Sequence, residues 1–174
     1  MDIPALLNEA FGRILPTVSR AVDGLSADQL AARPDPEANS VAWLVWHLTR
    51  IQDDHIAEVA GTEQVWTADG WARRFDLPFD DEATGFGQRS EDVAAVRVDS
   101  PDLLTGYLSA VNDATTAYLA GLSGDDLDRV VDDRWDPPVT LGVRLTSVLS
   151  DDLQHAGQAS YVRGLVQRSA GSAT

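Results

Sequence analysis

Of the three histidines in this chain, two have neighbours that suit a metal site. His155 lies in the run Ser-Asp-Asp-Leu-Gln-His-Ala-Gly-Gln, four residues after Asp151 and three after Asp152. On a helix, a carboxylate and an imidazole at either spacing project from one face. His47 lies in Val-Ala-Trp-Leu-Val-Trp-His-Leu, the most apolar run of the sequence. Should the two helices face one another, His47 supplies a third ligand. Three protein ligands leave a coordination position for water or substrate. Two imidazoles and one carboxylate suit a borderline or hard divalent ion: zinc, iron, nickel or manganese, with zinc and nickel foremost.

The residues around His155 sharpen the case. Val148, Ala159 and Val162 share a helical face with Asp151, Asp152, His155 and Gln158. Polar groups aimed inward between core residues are costly unless each finds a partner or a cation. Spacing alone does not choose between Asp151 and Asp152. The third histidine, His55, follows His47 by eight residues and so lies about 12 Å further along an unbroken helix. It cannot share a mononuclear ion with His47 and is expected at a rim. Asp54, about 10.5 Å along by the same geometry, suits orientation of a ligand or substrate rather than direct ligation. Arg50 and Arg144 are candidates to meet a cofactor or substrate carboxylate, although surface salt bridges are the plainer expectation for both.

The elements that must position these residues are mostly helical. Apolar residues Leu6, Leu7, Ala10, Phe11, Ile14, Val18 and Val22 recur at three and four, giving a first helix over 3–22 with a break near 12–16 at Pro16. Ser26 caps a short helical turn through Ala32. Ser40 caps a second long helix that ends at Gly61. Its first turns are apolar nearly all round and therefore buried, and its second half turns polar. Residues 62–99 predict a short helix and a packed loop, with an exposed, mobile connection around Asp80-Asp81-Glu82, Gly85 and Gly87. A third long helix starts at Ser100-Pro101 and stops at Gly121. The stretch 123–128 suits one more helical turn, and 130–138 is extended in character. The last long helix runs from near Thr140 to about Gln167. The five tryptophans are expected mostly in the core. Four long amphipathic segments predict an all-α four-helix bundle, with a long connection between helices two and three, as one domain over 1–174.

Composition excludes several functions. The net charge of −15 repels nucleic acid and anionic membranes, so neither is an expected partner. All 13 basic residues are Arg, a bias that fits a GC-rich genome. There is no cysteine, hence no disulfide, thiolate ligand or intrinsic thiol nucleophile. Any thiol chemistry must use a thiol from a bound small molecule. No run resembles a signal peptide or spans a membrane, and the expected location is cytoplasmic.

The segment Gly142–Gly164, with Ser-Asp-Asp-Leu-Gln-His-Ala-Gly-Gln at its centre, resembles the last helix of the DinB-like superfamily of four-helix-bundle metalloenzymes. Their usual pattern there is His-x-x-x-His-x-Gly-Gln. The segment Val41–Gly61 looks like their second helix, a single His in a Trp/Leu-rich turn followed by acidic residues. The resemblance implies His47, Asp151 and His155 as metal ligands, with Asp151 at the position of the first His of the motif. A carboxylate at that position is similar to the mycothiol-dependent maleylpyruvate isomerase branch, so the resemblance favours Asp151 over Asp152. It further implies a divalent metal ion, mycothiol as the small thiol, a small-molecule substrate and a homodimer. The expected activity is that of a metal-dependent thiol transferase or isomerase. The alternatives are a metal-dependent hydrolase and a non-catalytic metal- or ligand-binding bundle.

Overall fold

A computed structural model describes residues 2–171. In chain order the helices are α1 (Ile3–Phe11), α2 (Ile14–Val22), α3 (Ala27–Ala31), α4 (Val41–Ala60), α5 (Val65–Ala68), α6 (Trp71–Phe75), α7 (Ser90–Ala95), α8 (Pro101–Ala120) and α9 (Leu141–Gly171). A 3-10 turn over Asp125–Asp128 and two short strands, β1 (Val130–Asp132) and β2 (Val139–Thr140), precede α9. The all-α bundle of DinB-like type expected from the sequence is the fold observed. Its four legs are α1–α2, α4, α8 and α9: α4 packs against α9 and α8, α2 against α9 and α8, and α1 against α8.

Local chemistry explains the boundaries. The first leg breaks at Gly12 and Arg13, and Pro16 then falls in the first turn of α2, where a missing N–H leaves no intrahelical bond unmade. The Ser40 hydroxyl accepts from the Trp43 amide at 3.1 Å to start α4, and Gly61, in the left-handed conformation (φ 69°), ends it. Ser100 and Pro101 open α8 in the same manner.

The first half of α4 is buried on every side: each residue from Val41 to Arg50 is inside. That burial requires cover from several directions. Besides α8 and α9, the long 61–99 connection supplies it. Trp66 and Phe75 pack on Tyr107 of α8, with ring centroids 5.1 and 5.8 Å away, and Trp71 joins them at 5.6 Å. Such aromatic contacts add to the apolar area they bury. The strands pair antiparallel, Val130 with Thr140 and Asp132 with Val139, with an irregularity between residues 130 and 132. No described helix is long and apolar enough to cross a membrane.

Candidate metal centre

His47 sits on the buried turn of α4 and is nearly inaccessible. Its ring stacks on Trp43 at 4.6 Å with an interplanar angle of 17°. Its Nδ1 lies 2.6 Å from the Thr84 carbonyl oxygen. A carbonyl only accepts, so Nδ1 carries the proton and Nε2 is left with a free lone pair. Across the bundle, α9 presents Asp151 and His155 one turn apart. His155 Nδ1 is 2.7 Å from Gln158 Oε1 and donates to it, so in the neutral ring Nε2 carries the lone pair, and in the imidazolium it donates towards Asp151. That Nε2 lies 3.5 Å from Asp151 Oδ1. The two imidazoles meet edge to face at 4.9 Å.

One ligand atom from each of His47, Asp151 and His155 lies within 4.8 Å of the other two. Three observations fit this group to a divalent ion. Each imidazole has its Nδ1 tied to an oxygen, the arrangement that fixes tautomer and ring direction in metal-ligating histidines. Asp151 Oδ2 is buried without a hydrogen-bond partner, an expensive state that a cation relieves. The donor set is open, with fewer than four protein ligands.

Asp152, the competing carboxylate, points elsewhere. It is fully buried and neither oxygen has a partner. Burial, reinforced by the Asp151 charge, pushes its carboxyl well above the usual carboxylate range. Burial also lowers the pKa of His47. At His155 burial opposes the imidazolium, yet the hydrogen bonds to Asp151 and Gln158 outweigh it and raise the pKa. Gln158, expected inside, is exposed and acts through its bond to His155.

A cleft of about 730 Å³ adjoins the triad, one turn away along both α4 and α9. Ile51, Thr84 and Ser147 line its near side, and His55, Arg144 and Trp135 its far side. His55 is a half-buried cleft residue. Arg144 Nη1 lies 2.7 Å from its Nδ1. Because a guanidinium only donates, His55 accepts there and holds its proton on Nε2. Burial, then the Arg144 charge, lowers the His55 pKa and keeps the ring neutral. Arg144 is itself buried, bonded to Glu58 at 2.7 Å and to Asp132 at 3.3 Å. Asp54 accepts from Gln64 at 2.8 Å beside the same cleft.

Two expectations need correction. Arg50 forms no surface salt bridge, being 0% exposed, and Arg144, 8% exposed, reaches the exposed Glu58 from a buried position. Arg50 donates to the carbonyls of Ala83 and Asp81, each at 3.1 Å. The connection around Asp80-Asp81-Glu82 therefore has exposed side chains on a tethered main chain. Four tryptophans are buried as expected, but Trp135 is 66% exposed at the cleft. Thr84 and Gly85, which touch His47, carry no signal of this role in the sequence. Thr84 acts through its main chain, and Gly85 through having no side chain.

The family model for mycothiol-S-transferase matches residues 6–168 of the chain. A crystal structure of a conserved protein from Enterococcus faecalis superposes with a TM-score of 0.90 at 32% sequence identity, over 95% of this chain and 98% of the other. Among curated proteins none matches.

Proposed function

We propose that this chain, which belongs to the mycothiol-S-transferase family, is a divalent-metal-dependent transferase that joins a mycothiol-like small thiol to an electrophilic substrate. The supporting observation is the convergence of His47, Asp151 and His155, each imidazole with its Nδ1 already engaged. A chain without cysteine must take its sulfur from a bound molecule. A divalent ion held by the three side chains would supply Lewis acidity that lowers the pKa of that molecule's thiol.

The remaining chemistry falls to the cleft. The thiol sulfur forms a bond to the electrophilic carbon. In a substitution the carbon–halogen bond breaks, halide leaves with the bonding pair, and the thiol proton passes to solvent. His55, neutral with Nε2–H free, is suited to donate to an oxygen acceptor on the substrate. Ile51, Phe86, Trp135 and Val143 give the cleft apolar surface for a small substrate to rest on.

The test combines metal analysis with conjugation of an electrophile in the presence and absence of thiol. Thiol-dependent turnover that is lost on chelation and restored by Zn2+ is expected. Thiol-independent hydrolysis would place the chain among metal hydrolases, and metal without turnover would leave a binding bundle. His155→Ala should abolish stoichiometric metal uptake with the helical circular dichroism retained. Unchanged uptake removes His155 from the site.

A further inference from the structure

The segment that runs from Asp81 to Gln88 lies along α4 and bonds to one stripe of it. Arg50 donates from Nη2 to Asp81 O and from Nε to Ala83 O, both at 3.1 Å. One turn back, His47 donates from Nδ1 to Thr84 O at 2.6 Å. A further turn back, Trp43 donates from Nε1 to Gln88 Oε1 at 2.7 Å, and its ring is the one stacked on His47. Residues at positions 43, 47 and 50 share a helical face. The chain therefore straps three successive turns, with the candidate ligand in the middle.

We propose that Arg50 is a positioning residue for the metal centre. It fixes the main chain at 81–83 so that the Thr84 carbonyl holds the His47 ring in the ligating orientation and tautomer. Its own surroundings support this role. The guanidinium is fully buried, 4.9 Å over the Trp66 ring, 2.7 Å from Gln64 Oε1 and 3.8 Å from Asp53 Oδ2. A planar fork can reach two carbonyls and a side-chain amide at once, and a lysine ammonium on its single stem cannot reproduce that pattern. Asp53 does not depend on Arg50 for its hydrogen bonds. It also accepts from the amides of Val65 and Trp66 and from the Tyr107 hydroxyl, at 2.9, 2.7 and 2.7 Å.

Gly85 shows how closely the strap is fitted. Its φ is +93°, and a Cβ there would stand 2.7 Å from His47 Nδ1 and 3.0 Å from the Trp46 ring. Any side chain at 85 must move the strap or the ring. Gly87 has a comparable φ of +73° but nothing within 4 Å of the same added atom. The two glycines separate the cost of backbone conformation from contact with His47.

The affinity arm of the test rests on the metal reading given above, and a second arm does not. Zn2+ affinity is measured by competition with a chromophoric chelator for the wild type, Arg50→Lys, Gly85→Ala and Gly87→Ala, with near-ultraviolet circular dichroism as the folding control. Loss of outer partners of metal ligands typically weakens affinity about 10- to 100-fold. That loss is expected for Arg50→Lys and Gly85→Ala, with Gly87→Ala close to wild type. In the metal-free proteins, long-range proton–nitrogen correlations of the His47 ring should show a single Nδ1–H tautomer in the wild type and a mixture in Arg50→Lys and Gly85→Ala. Folded variants with wild-type affinity and an unchanged tautomer overturn the proposal, as does an equal effect of the two glycine changes. Should Arg50→Lys not fold, the glycine pair and the tautomer decide. Should the wild type bind no ion, the metal reading falls, and the tautomer arm still decides the role of Arg50.

Discussion

Asp151 and Asp152 are neighbours with the same side chain and opposite surroundings. Asp151 Oδ1 lies beside His155 Nε2, and its other oxygen is buried without a partner. Asp152 faces the core, inaccessible, with both oxygens unpartnered. Removing charge at the first should cost metal affinity, and at the second should relieve desolvation. Asp151→Asn is therefore expected to weaken Zn2+ binding by at least about 100-fold, in keeping with loss of a direct ligand rather than an outer partner. Asp152→Asn should leave affinity nearer wild type and raise the melting temperature of the metal-free protein by a few degrees. Titration with Zn2+ and thermal unfolding of both variants check this, and the reverse order of affinities would exchange the two carboxylates. Spacing alone could not make this distinction, because i, i+3 and i, i+4 are both workable on a helix, and the preference for Asp151 came from the family resemblance. Which carboxylate meets His47 depends on how α9 is rotated against α4, a tertiary fact. The two histidines were easier to find, since an imidazole in an all-apolar turn or beside paired acids stands out against its neighbours.

At the level of elements, the long helices were legible because their ends are chemically marked. Ser40 and Gly61 bound α4, and Ser100-Pro101 and Gly121 bound α8. The extended character of 130–138 was legible too, but the pairing of β1 with β2 was not, because strands of three and two residues are too short to carry a period of two. It is held instead by charge. Asp132 on β1 bonds bidentately to Arg134 at 2.9 and 2.8 Å and reaches Arg144 of α9 at 3.3 Å. The Arg134 hydrogen bonds come first in holding the Asp132 carboxyl far below the usual carboxylate range, with the Arg134 and Arg144 charges adding to them. A depressed acid contributes stability that is fully present above its unfolded pKa, about 3.9, and is lost as the pH falls towards the folded value. The wild type is therefore expected to lose melting temperature below about pH 4 more steeply than Asp132→Asn, which should start lower at pH 7. Melting curves at pH 7, 4 and 3 test this. Parallel acid limbs in the two proteins would show that the Asp132 carboxylate does not stabilise the fold through its bonds to Arg134 and Arg144.

Charge also acts at the scale of the whole molecule. The chain carries −15, and the cleft beside the triad repeats that sign. Asp54, Glu58 and Asp132 line it against Arg134 and Arg144, and a neutral His55 adds nothing to the cationic side. Both guanidiniums are already engaged: Arg144 with Glu58, Asp132 and His55, and Arg134 with Asp132. Neither stands ready for an incoming carboxylate, and a low-dielectric cleft focuses the surrounding negative field. An anionic electrophile should thus be disfavoured against an uncharged one of the same shape. Iodoacetamide and iodoacetate share the carbon–iodine bond and nearly the same shape but differ in charge, so they can be compared once each rate is divided by its uncatalysed reaction with the same thiol. We expect the uncharged reagent to be preferred by about tenfold at low ionic strength. The preference should shrink as the screening length falls from about 10 Å at 0.1 M salt to about 3 Å at 1 M. A preference that does not respond to salt would point to direct contacts inside the cleft as its origin. Equal normalised rates at low salt would mean that the field of this acidic molecule does not reach the reacting carbon.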